Sequence, residues 1–144
     1  MVTKSTPRTA SALVPVLIRE PKSEAVIAWL ESSGERLAIS EWSLVEFAFA
    51  AAIKVRTGEA AANLAKQATA RVREFADKHC TVAVPGREEF RRAAELAGDD
   101  ALKLRAGDAL HLAIAGSLKA QGILCLDEAM IESAKALGIA VVAI

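Results

Sequence analysis

Apolar residues recur along this chain in two rhythms. Four short runs have the length and composition of strands: Leu37-Ala38-Ile39, Thr81-Val82-Ala83-Val84, Gly122 to Leu126, and the β-branched stretch Ile139 to Ile144. Between them, longer stretches repeat their apolar positions every three or four residues, as helices do. Ser40 is placed to cap a helix from Glu41 to about Arg56, and further helices are predicted from Glu59 to Lys78, Arg87 to Leu96, Leu102 to Lys119 and Glu128 to Leu137. Gly138 supplies the C′ residue of the last one. Nearer the start, Leu13 to Leu17 and a Ser23-capped segment carrying Val26, Ile27, Trp29 and Leu30 predict two short helices. Strand and helix alternate, which predicts an α/β fold with a small parallel sheet flanked by helices on both faces.

No repeat, low-complexity tract or Ser/Gly/Pro linker divides the 144 residues, so a single domain spanning 1–144 is expected. Alanine makes up about a fifth of the chain and favours helix over strand. Composition is that of a globular domain, with 53% hydrophobic and 25% charged residues. Eighteen basic residues balance eighteen acidic ones, so a polyanion must be caught by a local site rather than by a whole-molecule field. Cys80 and Cys125 stand far apart, in no metal-binding spacing, and read as free structural thiols in a reducing compartment. With no signal-peptide pattern and no apolar run of bilayer-spanning length, a cytoplasmic protein is expected.

Three carboxylates stand in apolar surroundings. Glu46 falls within a helix whose apolar stripe is read as Trp42, Val45, Phe49, Ala50 and Ile53, on the core-facing side. It either pairs with an arginine or snorkels at the stripe edge, or it serves as a ligand. Asp108 opens the most apolar helix, Ala109 to Ala115, and Asp127 ends a buried strand, where ligand sites of open α/β sheets gather. Each of these two is either an N-cap or a ligand. In a parallel sheet, strand-to-helix junctions share one edge, so the three acids are expected to converge. Converging carboxylates repel, and a hard divalent cation such as Mg²⁺ relieves that repulsion with oxygen ligands.

The residues around these acids resemble a known family, the PIN-domain ribonucleases, and within it the VapC-like toxins of bacterial toxin–antitoxin pairs. The matching stretches are Ser11 to Pro15, Ser40 to Glu46, Leu104 to Ala113 and Leu124 to Glu128, in order and over nearly the whole length. The resemblance implies a three-layer PIN-like domain and a Mg²⁺-dependent endoribonuclease, with Mn²⁺ as a substitute ion. It assigns Glu46, Asp108 and Asp127 as catalytic and metal-holding residues, and Ser11 as the hydroxyl residue that follows the first acid. That first acid is replaced by Thr9. Residues Thr3 to Arg8 offer no apolar run, and Pro7 would remove a ladder donor, so both the first strand and the first ligand are in doubt from the sequence. Two explanations stand: a catalytically impaired PIN domain that retains antitoxin or RNA binding, or an N-terminus other than the one given.

The implied chemistry is metal-assisted hydrolysis of a phosphodiester, which requires no covalent nucleophile. His111 is expected to be a packed, hydrogen-bonded core imidazole, and Arg105 either a solvated loop residue or a neutraliser of substrate phosphate. Aromatics form only 4% of the chain and are expected on packing faces, so stacking platforms for RNA are scarce. The resemblance further implies a cognate small antitoxin, for which Val26, Trp29 and Leu30 furnish either a docking groove or internal core, and a homodimer.

Overall fold

Ser40 does two jobs in the structure, a computed structural model, because it ends a strand and begins a helix. Its Oγ accepts the Ser43 N–H at 3.1 Å while the Ser43 Oγ accepts the Ser40 N–H, a reciprocal cap that turns strand β2 (Leu37–Ser40) into helix α1 (Glu41–Arg56). The structure describes residues 8–10 as backbone, and 25, 28–29, 31–32, 34, 36–125 and 127–142. Among them run strand β1 (Arg8–Ala10), β2, α1, α2 (Ala62–His79), β3 (Cys80–Ala83), α3 (Arg87–Gly98), α4 (Ala106–Ser117), β4 (Ile123–Leu124) and α5 (Glu128–Ala136). The predicted helix at Leu13 to Leu17, and Ser11, Val26, Ile27 and Leu30, lie outside the described residues.

The four strands form one parallel sheet in the order β3-β2-β1-β4. Residues 140–142 extend it partway, since Ile123 N–H donates to the Ala140 carbonyl and Val142 N–H to the Ile123 carbonyl, each at 2.8 Å. Among the described residues of the expected terminal strand, Val141 makes a single bridge to Ile123 of β4, and residues 143–144 lie outside the described residues. Successive strand residues enter opposite cores, as the two-residue period requires. Leu124 joins Leu37, Ile39, Leu44, Phe47 and Val72 on one side, whereas Ile123 and Cys125 join Leu96, Leu110, Leu112, Ile114 and Met130 on the other. Two cores separated by a sheet make the three-layer α/β fold expected from the sequence. Trp29 packs against the first core, which places it in the internal reading rather than in an open groove.

Other expectations are resolved or corrected as well. The first strand exists: β1 lies at the centre of the sheet, with Thr9 paired to Ala38 and to Ile123. Pro7 lies outside the described residues. The stripe read on α1 is mostly not the core face: Leu44, Phe47 and Ala51 are buried and Trp42 packs against the second core, while Val45 and Phe49 are more than half exposed and Ile53 is exposed. That helix is apolar almost all round, so periodicity cannot choose its buried side. Phe90 is also exposed, so two of the four phenylalanines lie on the surface rather than on packing faces.

Helix α4 begins at Ala106 rather than Leu102. Lys103 adopts a left-handed φ of 53°, which breaks the helix, and the Ser133 hydroxyl holds the Leu102 carbonyl at 3.1 Å. Helix α5 stops as expected, with Gly138 at φ 73°.

Candidate active site

Asp127 follows β4 and caps α5. One carboxylate oxygen, Oδ1, accepts the Met130 N–H at 2.9 Å, which leaves Oδ2 to face outward. The capping reading is therefore correct for this residue, and it consumes only half of the carboxylate. Asp108 is different: Arg105 holds the N-cap position of α4, so Asp108 is the third helical residue and no cap at all. Its negative charge still suits the helix N-terminus.

Arg105 ties the two acids together. Its Nε donates to Asp108 Oδ2 at 3.1 Å and its Nη2 to Asp127 Oδ2 at 3.2 Å, one planar guanidinium spanning two carboxylates. The hydrogen bond to Asp108, followed by the charges of Asp108, Asp127 and Glu46, raises the arginine pKa above its ordinary value. The Arg105 side chain is 78% exposed, whereas that of Asp108 is 17% exposed, so the arginine closes over the acids from the solvent side.

Glu46 reaches the same place from α1. Its Oε2 lies 2.5 Å from His111 Nε2, and its Oε1 lies 2.6 Å from the position a β-carbon on Gly107 would take. Gly107 and His111 are four residues apart on α4 and so share a face, where together they make a seat for the carboxylate. The indole nitrogen of Trp42, one turn before Glu46, is buried without a hydrogen-bond partner and lies 3.4 Å from the same Gly107 position. His111 is buried and hydrogen-bonded, as expected, but its partner is the candidate glutamate.

The three predicted acids thus meet around the N-terminus of α4 without forming a ligand cage. Asp108 and Asp127 are bridged by Arg105, and Glu46 acts on that arginine through its charge while its carboxylate is turned to His111. Among the described residues, no three His, Cys, Asp or Glu side chains are disposed to hold one ion. Carboxylates are the donor type that a hard divalent cation takes, and here a cationic guanidinium stands between two of them. Thr9 occupies the sheet centre next to β4, the strand that leads to Asp127. The roles of Arg105, Gly107 and His111 were not foreseen as a unit, although the Arg-x-x-Asp spacing and the four-residue Gly107–His111 interval were visible signals.

Among the described residues, no helix is long and apolar enough to cross a membrane. The chain resembles solved structures at the level of fold. VapC20 of Mycobacterium tuberculosis, described as a Sarcin–Ricin loop cleaving toxin, superposes with a TM-score of 0.69 at 16% identity, covering 91% of this chain and 95% of the other. FitAcB from Neisseria gonorrhoeae gives a TM-score of 0.58 at 16% identity, covering 94% and 96%. No curated protein sequence matches. The model of the PIN domain family matches residues 10–142. With that match spanning nearly the whole chain and the acids gathered where β4 ends and α4 begins, this protein belongs to the PIN domain family.

Proposed function

We propose that this protein is a Mg²⁺-dependent endoribonuclease acting as the toxin of a toxin–antitoxin pair. The observation that carries the reading is the joining of Asp108 and Asp127 through one cation beside the seated carboxylate of Glu46, on a PIN fold. Two acids brought within reach of one guanidinium are close enough to share a positive charge, and a divalent ion supplies twice that charge in a smaller volume. Glu46, Asp108 and Asp127 would hold the ion, with Mn²⁺ as a substitute for Mg²⁺. When bound, the ion lowers the pKa of a water and stabilises charge on phosphate oxygens. In the hydrolysis, water adds to phosphorus, the bond to the leaving oxygen breaks, and the leaving oxygen takes up a proton. The chain's own contribution is to position the carboxylates: Met130 N–H fixes Asp127, and Gly107 with His111 fixes Glu46.

VapC20 is named as a Sarcin–Ricin loop cleaving toxin, which supports the toxin role and an RNA substrate, and a toxin of this kind would take a cognate small antitoxin as partner. The exposed apolar ridge of Val45, Phe49 and Ile53 on α1 offers surface for such a protein or for a second copy in a homodimer. A cytoplasmic location fits this role.

The alternative, a catalytically impaired PIN domain that retains antitoxin or RNA binding, rests on the reading that Thr9, which lies on the central strand, stands at the position of the first acid in the family pattern. Incubation of the purified chain with a generic RNA, with Mg²⁺ and with a chelator, separates the two. Cleavage that needs the ion and is lost in Asp108→Asn supports the ribonuclease. Ion-independent or undetectable cleavage refutes it.

A further inference from the structure

Arg105 is the only described side chain that joins two of the three candidate acids by hydrogen bonds, and nothing in the proposed chemistry uses it. Its placement is local in origin. As the N-cap residue of α4 it projects toward Asp108 three residues on, and the length of the arginine side chain brings its far nitrogen to Asp127, twenty-two residues away in sequence. Both bonds fall on Oδ2 atoms, which in Asp127 is the oxygen left over once its Oδ1 has capped α5. A guanidinium here offsets repulsion between carboxylates that have been brought together. It is also mostly in solvent, and exposed ion pairs are held weakly, so it can leave without opening a cavity.

We propose that Arg105 is a displaceable internal counterion: it holds Asp108 and Asp127 together when no ion is bound, and a divalent cation must evict it to reach their Oδ2 atoms. This deepens the metal-dependent reading above and rests on it. The consequence is regulatory. Arg105 sets the free ion concentration at which the site loads, because the apparent affinity for the ion is its intrinsic affinity reduced by the competition. A merely structural arginine has the opposite signature, since removing it would disorganise the acids and weaken ion binding.

The test is a calorimetric titration of Mn²⁺ into the metal-free full chain, without RNA, for the parent, Arg105→Gln and Arg105→Lys, with circular dichroism to confirm folding. Arg105→Gln should bind Mn²⁺ about tenfold more tightly, or about 1.4 kcal/mol. Arg105→Lys, a point charge that cannot span both acids in the same plane, should gain less. In melting curves, Arg105→Gln should unfold at a lower temperature than the parent without metal, and the gap should close or reverse at saturating Mn²⁺. Unchanged or weaker binding by Arg105→Gln, alongside binding by the parent, overturns the counterion while leaving the metal site intact. If neither protein binds Mn²⁺, the metal-dependent reading falls and the counterion falls with it.

Discussion

Glu46 and Gly107 come closer than any side chain at position 107 would permit. The glutamate Oε1 stands 2.6 Å from where a β-carbon would be, so the absence of a side chain at position 107 is what lets the carboxylate rest against α4 and reach His111. Nothing in the backbone at 107 demands glycine, since its φ is not in the left-handed region. The requirement is for space.

Gly107→Ala tests that relationship. Alanine favours the helix by up to about 1 kcal/mol, and displacing Glu46 costs its hydrogen bond to His111, about 1 kcal/mol, so the melting temperature should change by no more than about 4 °C. Mn²⁺ affinity and RNA cleavage should each fall by about tenfold or more, because the carboxylate is pushed out of its seat. Full cleavage by this variant would show that the seat does not matter.

Asp127 has two jobs that separate by substitution. Asparagine can cap α5 as aspartate does, so Asp127→Asn should leave thermal stability nearly unchanged while abolishing Mn²⁺ binding. Asp127→Ala should lose both, with a stability cost of about 0.5–2 kcal/mol from the missing cap. Denaturant melts paired with metal titration read the two effects. Retained Mn²⁺ affinity in Asp127→Asn would reduce the residue to a cap.

Thr9→Asp places a fourth acid on the central strand, next to β4. If it completes the site, Mg²⁺ binding should tighten by about tenfold, about 1.4 kcal/mol, and cleavage of a generic RNA should rise. Without metal the added charge should lower the melting temperature. A variant altered in neither affinity nor cleavage would show that Thr9 does not face the acids.

Burial pushes the Cys80 thiol up to about 11 from its ordinary 9.0. Its neutral form is therefore the folded-state form at physiological pH. Stability tied to that thiol is complete below pH 9 and is lost as the pH rises toward 11. Alkylation at pH 8 should be slower in the folded chain than in the unfolded one by about tenfold or more, with Cys80→Ser identifying the signal. Equal rates would contradict the shielding of this half-buried thiol.

Much of this molecule was legible before any coordinates. Helix α1 begins where Ser40 predicts and α5 ends where Gly138 predicts, because caps and C′ glycines are local events set by a few adjacent residues. The alternation that sends Ile123 and Leu124 into different cores follows from a two-residue period. The sequence offers Asp127 both as a cap and as a ligand candidate, and the cap is real.

Relations between distant segments were not legible. Periodicity could not say which side of an almost wholly apolar α1 is buried, because that depends on what α2 and the sheet present to it; Leu44 and Phe47 won over Val45 and Phe49. A strand of three residues, Arg8–Ala10, carries too little pattern of its own and exists because β2 and β4 pair with it on either side. The sequence by itself determined the kinds of side chain at the site, three acids, an arginine, a histidine and a glycine, and the local turns that expose them. Only tertiary structure decided the partners, Glu46 to His111 across 65 positions and Asp108 to Asp127 through Arg105. Carboxylate charge selects for a cation or a hydrogen-bond donor, and which one is within 3 Å or so is a matter of packing, which no local pattern encodes.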